Sequence, residues 1–254
     1  MTPLLAIQHL SKHYADKTVL DDINLDIQRG EIIGYIGPNG AGKSTTVKIL
    51  TGIIQDYEGV VYYDGIDIRN NLFELKQKLG YVPELAELYE MLTPKEYLYF
   101  VGKLHHLEDA VIEERMQNMM GSFGMSQHLN ERMDSFSKGM RQKVLLVSGL
   151  LHNPEIIFLD EPLSGLDANA VMLVKELLQV LKQQGKTIFY CSHMMDVVEK
   201  VSDRIVLINN GKLIANGTLA ELREQENESL EAIFARLTHA SNPALQMRSF
   251  TDTQ

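Results

Sequence analysis

Short apolar runs alternate with polar or glycine-containing turns over the first and last thirds of the chain. Runs of this length predict strands, and the predicted strands are residues 4–7, 18–27, 31–36, 60–63, 66–68, 156–159, 187–191, 204–208 and 212–215. We expect a polar turn through His13 and Asp16 to join the first two strands. The Asp64-Gly65 pair between two later runs favours a β-hairpin, and residues 209–211 carry a similar turn signal.

The middle of the chain, from about residue 85 to 154, changes to a helical pattern. Thr93 can cap a helix, Pro94 suits its first position, and Glu96 completes a capping box. A shorter helix is predicted from about residue 43 to 51. Strands that alternate with helices predict a largely parallel α/β core, interrupted here by a helical insertion. The tail after about residue 242 is polar, and we expect it to be frayed.

Composition narrows the possible partners. The chain has 254 residues, with 24 Lys and Arg against 34 Asp and Glu, giving a formal net charge of −10. This acidic balance disfavours nucleic acid, because phosphate neutralisation needs clustered cations. Cys191 is the single cysteine, so no intrachain disulfide can form, which suits a reducing cytoplasm. No apolar run reaches about 18 residues and the N-terminus lacks a signal-peptide core, so we expect any membrane role to come through a partner.

A glycine-rich segment follows the predicted strand at residues 31–36 and opens a predicted helix. It fits the phosphate-loop pattern G-x-x-x-x-G-K-[ST]. Glycines let the backbone fold round an anion, and successive N–H groups at a helix N-terminus then point at phosphate. We expect Lys43 to reach the β- and γ-phosphates and Ser44 to bind Mg²⁺. The alternative is a glycine-rich turn with a chance match, which the flanking context opposes. The predicted nucleotide-binding residues are Gly37, Pro38, Asn39, Gly40, Ala41, Gly42, Lys43, Ser44 and Thr45.

Two acidic residues end the apolar strand predicted at residues 156–159. Parallel strands carry functional groups at their carboxyl ends, where this sheet also brings the phosphate loop. We expect Asp160 to hold Mg²⁺ through water and Glu161 to orient or deprotonate the attacking water. Solvated acids at an exposed strand end are the alternative.

The next segments narrow the class of nucleotide-binding protein. The run from Phe136 to Lys143, F-S-K-G-M-R-Q-K, resembles the signature motif of ABC ATPase subunits, usually written LSGGQ. Ser164-Gly165-Leu166-Asp167 resembles their D-loop, and His193 resembles their switch histidine. Tyr14 stands where the family has an adenine-stacking aromatic residue. The resemblance covers about residues 4 to 222.

The resemblance implies a fold and a mechanism. The fold is an α/β P-loop NTPase of ABC type: a mostly parallel sheet core with an antiparallel β subdomain and an inserted α-helical subdomain. It makes residues 1–254 one ATPase domain, with 1–84 and 155–220 as core, 85–154 as helical subdomain, and 221–254 as C-terminal helix and tail. ABC domains work as ATP-sandwich dimers, so Ser137 and Gly139 are expected to contact ATP bound by a second copy. Asp167 is expected to link the two sites, while His193, with Glu161, holds the γ-phosphate and water.

The same resemblance implies ATP and Mg²⁺ as cofactors. It implies a multi-span membrane permease and a second ATPase subunit, identical or closely related, as partners. The chain is then expected at the cytoplasmic face of the membrane, held there by its partner. Glu84 stands where the family's Mg²⁺-binding glutamine lies, after G-Y-V-P. Lys138 and Met140 also depart from the signature pattern. The S-K-G-M-R-Q-K and G-Y-V-P-E segments, and the segment 229–238, look like the subfamily that exports drugs, bacteriocins, polysaccharide and sodium.

Several residues have simpler interpretations. Ser137 is also predicted to cap a helix. The alternative for Tyr14 is an ordinary aromatic residue in a turn. Cys191 is expected to be a small buried hydrophobic residue. Five methionines cluster in the helical region, where core filling is the first expectation and a docking surface the second. They are Met116, Met119, Met120, Met125 and Met133.

Other functions fit the chain less well. His105-His106 has no companion ligands, so no metal site is predicted there. A soluble ABC protein of translation would carry two phosphate loops. A DNA-repair type would insert a long coiled coil between Lys43 and Ser137, where there is no room. A non-hydrolysing binding module is opposed by Lys43, Asp160, Glu161 and His193 together.

Overall fold

The computed structural model describes residues 2–15, 17–85 and 88–238, and these form two β-sheets with helices packed against them. The strands, in chain order, are β1 (Leu5–Tyr14), β2 (Lys17–Ile27), β3 (Ile32–Ile36), β4 (Glu58–Tyr63), β5 (Ile66–Asp67), β6 (Leu79–Val82), β7 (Ile156–Asp160), β8 (Thr187–Cys191), β9 (Arg204–Asn209) and β10 (Lys212–Gly217). The α-helices are α1 (Lys43–Leu50), α2 (Leu72–Lys78), α3 (Pro94–Leu104), α4 (Asp109–Ser122), α5 (Lys138–Leu150), α6 (Ala168–Gln183), α7 (Met195–Val201), α8 (Leu219–Leu222) and α9 (Leu230–Thr238).

The larger sheet has six strands, and the carboxyl ends of its parallel strands lie along one edge. Its strand order is β10-β9-β3-β8-β7-β6, and all neighbours are parallel except the β9–β10 pair. Every residue of β3, β7 and β8 is buried, as expected for parallel strands covered on both faces. The registers pair Ile36 with Leu207 and Asp160 with Cys191, so the carboxyl ends of neighbouring strands lie along one edge.

The smaller sheet is antiparallel, with strand order β2-β1-β4-β5. The α/β expectation is therefore confirmed, with a mostly parallel sheet and an antiparallel one. Three α-helices, α3 to α5, occupy the chain between β6 and β7, in the region whose pattern is helical. Helix α3 begins as predicted, because the Thr93 hydroxyl accepts a hydrogen bond from the Glu96 N–H and the Glu96 carboxylate accepts one from the Thr93 N–H.

The larger sheet separates two hydrophobic cores. Alternate residues of β3 divide between them: Ile32 and Ile36 face one core, whereas Ile33 and Tyr35 face the other. The first core holds four of the five clustered methionines (Met116, Met120, Met125 and Met133), which are all buried, and Met119 packs against it. Core filling is thus confirmed for this cluster. Cys191 is fully buried in the second core, as expected.

The structure corrects several predicted boundaries. β1 runs to Tyr14 rather than ending at residue 7, so His13 belongs to a strand and not to the turn. The polar stretch of this strand contains three register shifts, and His9 there has a φ of +51°. β6, α2, α6 and α7 were not predicted. The predicted turn residue Asp16 and the tail after residue 242 lie outside the described residues. No helix of the described ranges is long and apolar enough to cross a membrane.

Candidate nucleotide-hydrolysis site

The glycine-rich loop connects β3 to α1, in the strand–loop–helix context that its pattern requires. Gly40 and Gly42 have φ angles of +79° and +112°, a region that residues with a Cβ rarely adopt. A Cβ at Gly37 would stand 2.3 Å from the Ile208 backbone oxygen, and one at Gly42 would stand 2.6 Å from Leu20 Cδ2. These positions therefore need glycine both for backbone conformation and for close packing.

The ammonium group of Lys43 lies in the middle of this loop. Its Nζ donates to the Gly37 carbonyl at 2.8 Å and to the Pro38 carbonyl at 3.3 Å. The side chain is buried, and the Thr46 hydroxyl donates to the Gly42 carbonyl in the first turn of α1. The loop thus surrounds one fixed positive charge, with the N-terminus of α1 behind it.

The carboxyl end of β7 brings acidic residues to the same place. Asp160 is 3% exposed, and its Oδ1 has no hydrogen-bond partner among the described residues. Burial raises the pKa of Asp160, and the nearby charges of Glu84 and Glu161 raise it further, whereas the Ser44 hydroxyl and Lys43 act in the opposite direction. A buried carboxylate oxygen without a partner, beside a hydroxyl and a second carboxylate, matches the oxygen ligands that Mg²⁺ prefers.

No three His, Cys, Asp or Glu side chains of the described residues are grouped closely enough to hold a metal ion by themselves. Mg²⁺ suits such a site, because it usually keeps waters and takes phosphate oxygens beside one or two carboxylates. Asp160, Glu84 and the Ser44 hydroxyl therefore fit this ion.

Glu161 is held at the end of the strand by three contacts. Its backbone N–H donates to the Cys191 carbonyl at 2.9 Å, and the Ser192 hydroxyl donates to its Oε2 at 3.1 Å. His193 Nδ1 lies 2.9 Å from the same Oε2. Glu161 has a φ of +50°, which is uncommon for a residue with a side chain, and such strained positions occur at functional sites. The carboxylate is fixed while the His193 ring remains largely exposed.

These groups line one cleft of about 740 Å³. Most of the residues expected there from the sequence are present. The lining residues are Lys17, Val19, Gly37, Pro38, Asn39, Gly40, Gly42, Lys43, Ser44, Thr45, Glu84, Asp160, Glu161, His193, Met195 and Phe234. Sequence reasoning missed Lys17, Val19, Met195 and Phe234. Only the surrounding sequence could have indicated them. Lys17 and Val19 lie at the start of a predicted strand, Met195 follows the switch-like His193, and Phe234 belongs to the C-terminal helical segment.

Five of the expected residues do not line this cleft. Ala41 is buried in the core beneath the loop. Tyr14 is 47% exposed with Lys12 Nζ 4.8 Å above its ring, and it pairs across the strands with Lys17, which does line the cleft. The other three, Ser137, Gly139 and Asp167, lie on a second surface.

The second surface joins the start of α5 to the start of α6. Ser137 caps α5 by accepting the Met140 N–H at 3.2 Å, which confirms its predicted capping role. A Cβ at Gly139 would stand 2.6 Å from the Gly165 oxygen, so the two segments are in close backbone contact.

Side chains hold the same two segments together. Lys138 Nζ donates to the Ser164 hydroxyl at 2.7 Å, and Lys143 Nζ lies 3.4 Å from Asp167 Oδ2. Asp167 also accepts the Ala170 N–H at 2.9 Å, and this backbone hydrogen bond lowers the pKa of Asp167. The signature-like and D-loop-like segments thus form one unit.

A phosphate loop with a buried lysine, faced by two strand-end carboxylates and a histidine, defines a P-loop ATPase. The family model described as ABC transporter matches residues 20–164, more than half of the chain. The chain belongs to the ABC transporter family, as an ATP-binding subunit with ATPase activity.

Similar proteins agree with this assignment. The chain is 36% identical over 237 residues to the ABC transporter ATP-binding protein NatA of Bacillus subtilis, covering 91% of this chain and 96% of NatA. It is 33% identical to the Nod factor export ATP-binding protein I of Ralstonia nicotianae, covering 89% of this chain and 70% of that protein.

Two solved structures share the fold. One, an ATP-binding subunit of an ABC transporter, has a TM-score of 0.87 and 33% identity, covering 92% of this chain and 99% of that one. The other is a dimeric post-hydrolysis state of the ATP-binding cassette MJ0796 bound to ADP and Pi. Its TM-score is 0.79 at 25% identity, covering 85% of this chain and 98% of that one.

Proposed function

We propose that this chain powers export through a separate membrane-spanning partner, at the cytoplasmic face of the membrane, by ATP-dependent pairing with a second ATPase subunit. The export direction is supported by the S-K-G-M-R-Q-K and G-Y-V-P-E segments and by a similar protein named for Nod factor export. The domain division proposed is a core of residues 1–84 and 155–220, a helical subdomain of 85–154, and a C-terminal helix and tail of 221–254.

Each side chain of the cleft has a proposed task. Lys43 and the loop N–H groups hold the β- and γ-phosphates of ATP. Glu161 accepts a proton from the attacking water or orients it, and His193 holds Glu161 and the γ-phosphate together. Mg²⁺, held by Ser44, Asp160 and Glu84, supplies charge neutralisation on the phosphates. Tyr14 stays a proposed adenine contact, because the strand residue paired with it lines the cleft.

The proposal of a dimer is supported by the position of the second surface, which lies outside the cleft that contains the phosphate loop. Ser137 and Gly139 lie at the N-terminus of α5, outside the cleft that holds the phosphate loop. No acidic residue occupies the first turn of α5, so the positive end of this helix has no anion of its own. ATP bound in the cleft has phosphate oxygens on the side away from the loop. A second copy related by two-fold symmetry completes both sites at once, with Asp167 between them.

A surface for the membrane partner is proposed beside Glu84. Large apolar side chains are exposed there and on the adjoining helical segment, where the rings of Tyr89 and Phe100 meet edge to face at 6.1 Å. Exposed apolar groups of this size mark interaction surfaces. They are Leu85, Tyr89, Met91, Phe100 and Leu104, each 46–69% exposed. Glu84 connects this surface to the cleft, since it lies next to Leu85 and lines the site.

The test is light scattering of the Glu161→Gln protein with ATP and Mg²⁺. This variant keeps the ATP contacts but slows hydrolysis, so we expect a mass of two copies with ATP and of one copy with ADP. Ser137→Arg in the same background is the control, because its bulk blocks the contact and should leave one copy. The measurement is repeated with the membrane complex, where closure is followed instead of mass. A variant that stays single in isolation, and shows no ATP-dependent closure in that complex, rules the proposal out.

A further inference from the structure

The C-terminal helix α9 has one apolar face. Leu230 and Ile233 are fully buried, and Phe234 and Leu237 pack against the core that contains Leu230. The spacing i, i+3, i+4, i+7 puts these four side chains on one side of the helix. Val197 and Val198 of α7 belong to the same core, and α9 packs on α7. The helix is therefore docked on the element that directly follows His193.

Charged groups fasten α9 in this position. Glu199 of α7 accepts the Leu230 N–H at 3.0 Å and the Arg223 guanidinium at 2.9 Å, so a side chain of α7 caps the start of α9. Arg236 near the other end binds Glu228 at 3.0 Å and Glu224 at 2.8 Å. The start of α9 is thus fixed to α7, and Arg236 near its other end is fixed to the segment that precedes the helix.

Phe234 reaches the nucleotide cleft from this fixed helix. It lines the cleft together with His193 and Met195, although it lies far along the chain from every sequence motif of the site. Its side chain packs against the core that contains the fully buried Leu230. The cleft is otherwise lined mainly by glycines, hydroxyls and charged groups, so an aromatic ring there adds an apolar wall.

We propose that Phe234 is a positioning residue for hydrolysis, which α9 supplies to the cleft of its own chain. The His193 side chain is 70% exposed, and its one recorded polar contact within the described residues is with Glu161. When ATP occupies the cleft, this apolar wall restricts the imidazole on one side and limits the access of water to the Glu161–His193 pair. Electrostatic interactions strengthen where water is excluded, and small displacements of positioned groups reduce rates strongly. The inference rests on the proposed roles of Glu161 and His193.

Kinetics of purified full-length protein test the inference, with the membrane partner where hydrolysis requires it. We expect Phe234→Ala to lower kcat about fivefold to tenfold while KM for ATP stays within about twofold, because positioning acts on the chemical step. Phe234→Tyr keeps the ring and should recover most of the rate. Leu237→Ala removes a partly buried side chain from the same face and is the matched control for loss of packing.

The outcomes separate the possibilities. A kcat for Phe234→Ala equal to that of Leu237→Ala, or above wild type, overturns the inference. Lys43→Ala and Glu161→Gln are measured in the same assay. If these two variants hydrolyse ATP like wild type, the proposed roles of Lys43 and Glu161 are wrong. If both lose hydrolysis but Phe234→Ala does not, only the inference about Phe234 is wrong.

A spectroscopic readout uses the absence of tryptophan from the sequence. Phe234→Trp introduces a single reporter at the wall, and Phe100→Trp introduces one on the exposed helical surface. In the Glu161→Gln background, ATP with Mg²⁺ should reduce acrylamide quenching of the reporter at position 234 at least about twofold, since buried indoles are shielded from solvent. The reporter at position 100 should be unaffected in the isolated protein. Equal quenching at position 234 with and without ATP contradicts the inference.

Discussion

His193 Nδ1 and Glu161 Oε2 lie 2.9 Å apart, at the carboxyl ends of two neighbouring parallel strands. The same carboxylate oxygen accepts the Ser192 hydroxyl at 3.1 Å, and Ser192 is itself buried. The Ser192 hydroxyl and His193 Nδ1 therefore both approach the same oxygen of Glu161. This arrangement fixes the position of the Glu161 carboxylate, which lines the cleft.

The first prediction concerns this pair. Glu161→Gln should lower ATP hydrolysis at least about 100-fold, because the amide cannot accept a proton from water, whereas ATP affinity should stay within about threefold. His193→Ala should lower hydrolysis by less, since Ser192 still holds the carboxylate. Single-turnover hydrolysis and calorimetric ATP binding measure the two effects separately. Ser202→Ala, outside the cleft, is the control, and equal rates for wild type and Glu161→Gln would refute the assignment.

The second prediction compares two lysines of the same cleft. Lys43→Ala should weaken ATP binding at least about 30-fold, because about 2 kcal/mol of charge-assisted hydrogen bonding to phosphate is lost. Lys17→Ala removes a cleft lysine that lies outside the phosphate loop and should have a smaller effect. Calorimetry with ATP and with ADP provides the measurement. Equal affinities of wild type and Lys43→Ala would show that the loop does not hold the phosphates through this side chain.

The loop and strand-end residues that line the cleft could be predicted from sequence, because each of them directly follows or ends a predicted strand. Gly37 to Thr45 follow β3 directly, Asp160 and Glu161 end or follow β7, and His193 comes two residues after β8. A parallel sheet brings the carboxyl ends of its strands to one edge, so short-range patterns were enough to predict this site.

Residues that reach the cleft across the fold could not be predicted in the same way. Phe234 belongs to an apolar helical face, and that periodicity predicts a core contact without saying which side chain extends beyond it. β6 is a short strand with a glycine in it, so its apolar signal is weak. The length of β1 was underestimated because register shifts in its second half break the alternation of polar and apolar residues.

The third prediction concerns Glu84, which lines the cleft where the family has glutamine. Glu84→Gln should keep hydrolysis within about tenfold, because both side chains offer an oxygen at the same reach. Glu84→Ala should lose more, and its rate should need a higher Mg²⁺ concentration for half-saturation. A magnesium titration of hydrolysis for the three proteins makes the comparison. If the alanine and glutamine variants behave alike, Glu84 is not a ligand.

The fourth prediction concerns the contact between Gly139 and Gly165. A Cβ at position 139 would stand 2.6 Å from the Gly165 backbone oxygen, so Gly139→Ala forces the two segments apart. We expect a loss of about 1–3 kcal/mol in the free energy of unfolding. Gly121→Ala is the matched control, because its Cβ meets only the Ser126 hydroxyl at 3.4 Å and alanine is the better helix former. Urea unfolding should show destabilisation for the first variant alone, and equal midpoints would contradict the packing argument.

The last prediction concerns the pH dependence of stability. His152 stacks on His105 with ring centroids 3.6 Å apart, and its Nε2–H donates to the Leu79 carbonyl at 3.0 Å. Burial lowers the pKa of His152 from its ordinary value of 6.5 to about 4, helped by the neighbouring His105. Between these two values the unfolded chain binds more protons than the folded one, so the free energy of unfolding should fall as pH is lowered from 6.5 to 4. Because the group is partly exposed, we reduce the expected change in the free energy of unfolding from pH 7 to pH 5 to about 1 kcal/mol.

Urea unfolding at both pH values measures this change. The His152→Gln variant keeps a donor for the Leu79 carbonyl and should lose the His152 contribution to the pH dependence. Equal pH dependence in wild type and His152→Gln would mean that the stacked pair is not what makes acid unfavourable.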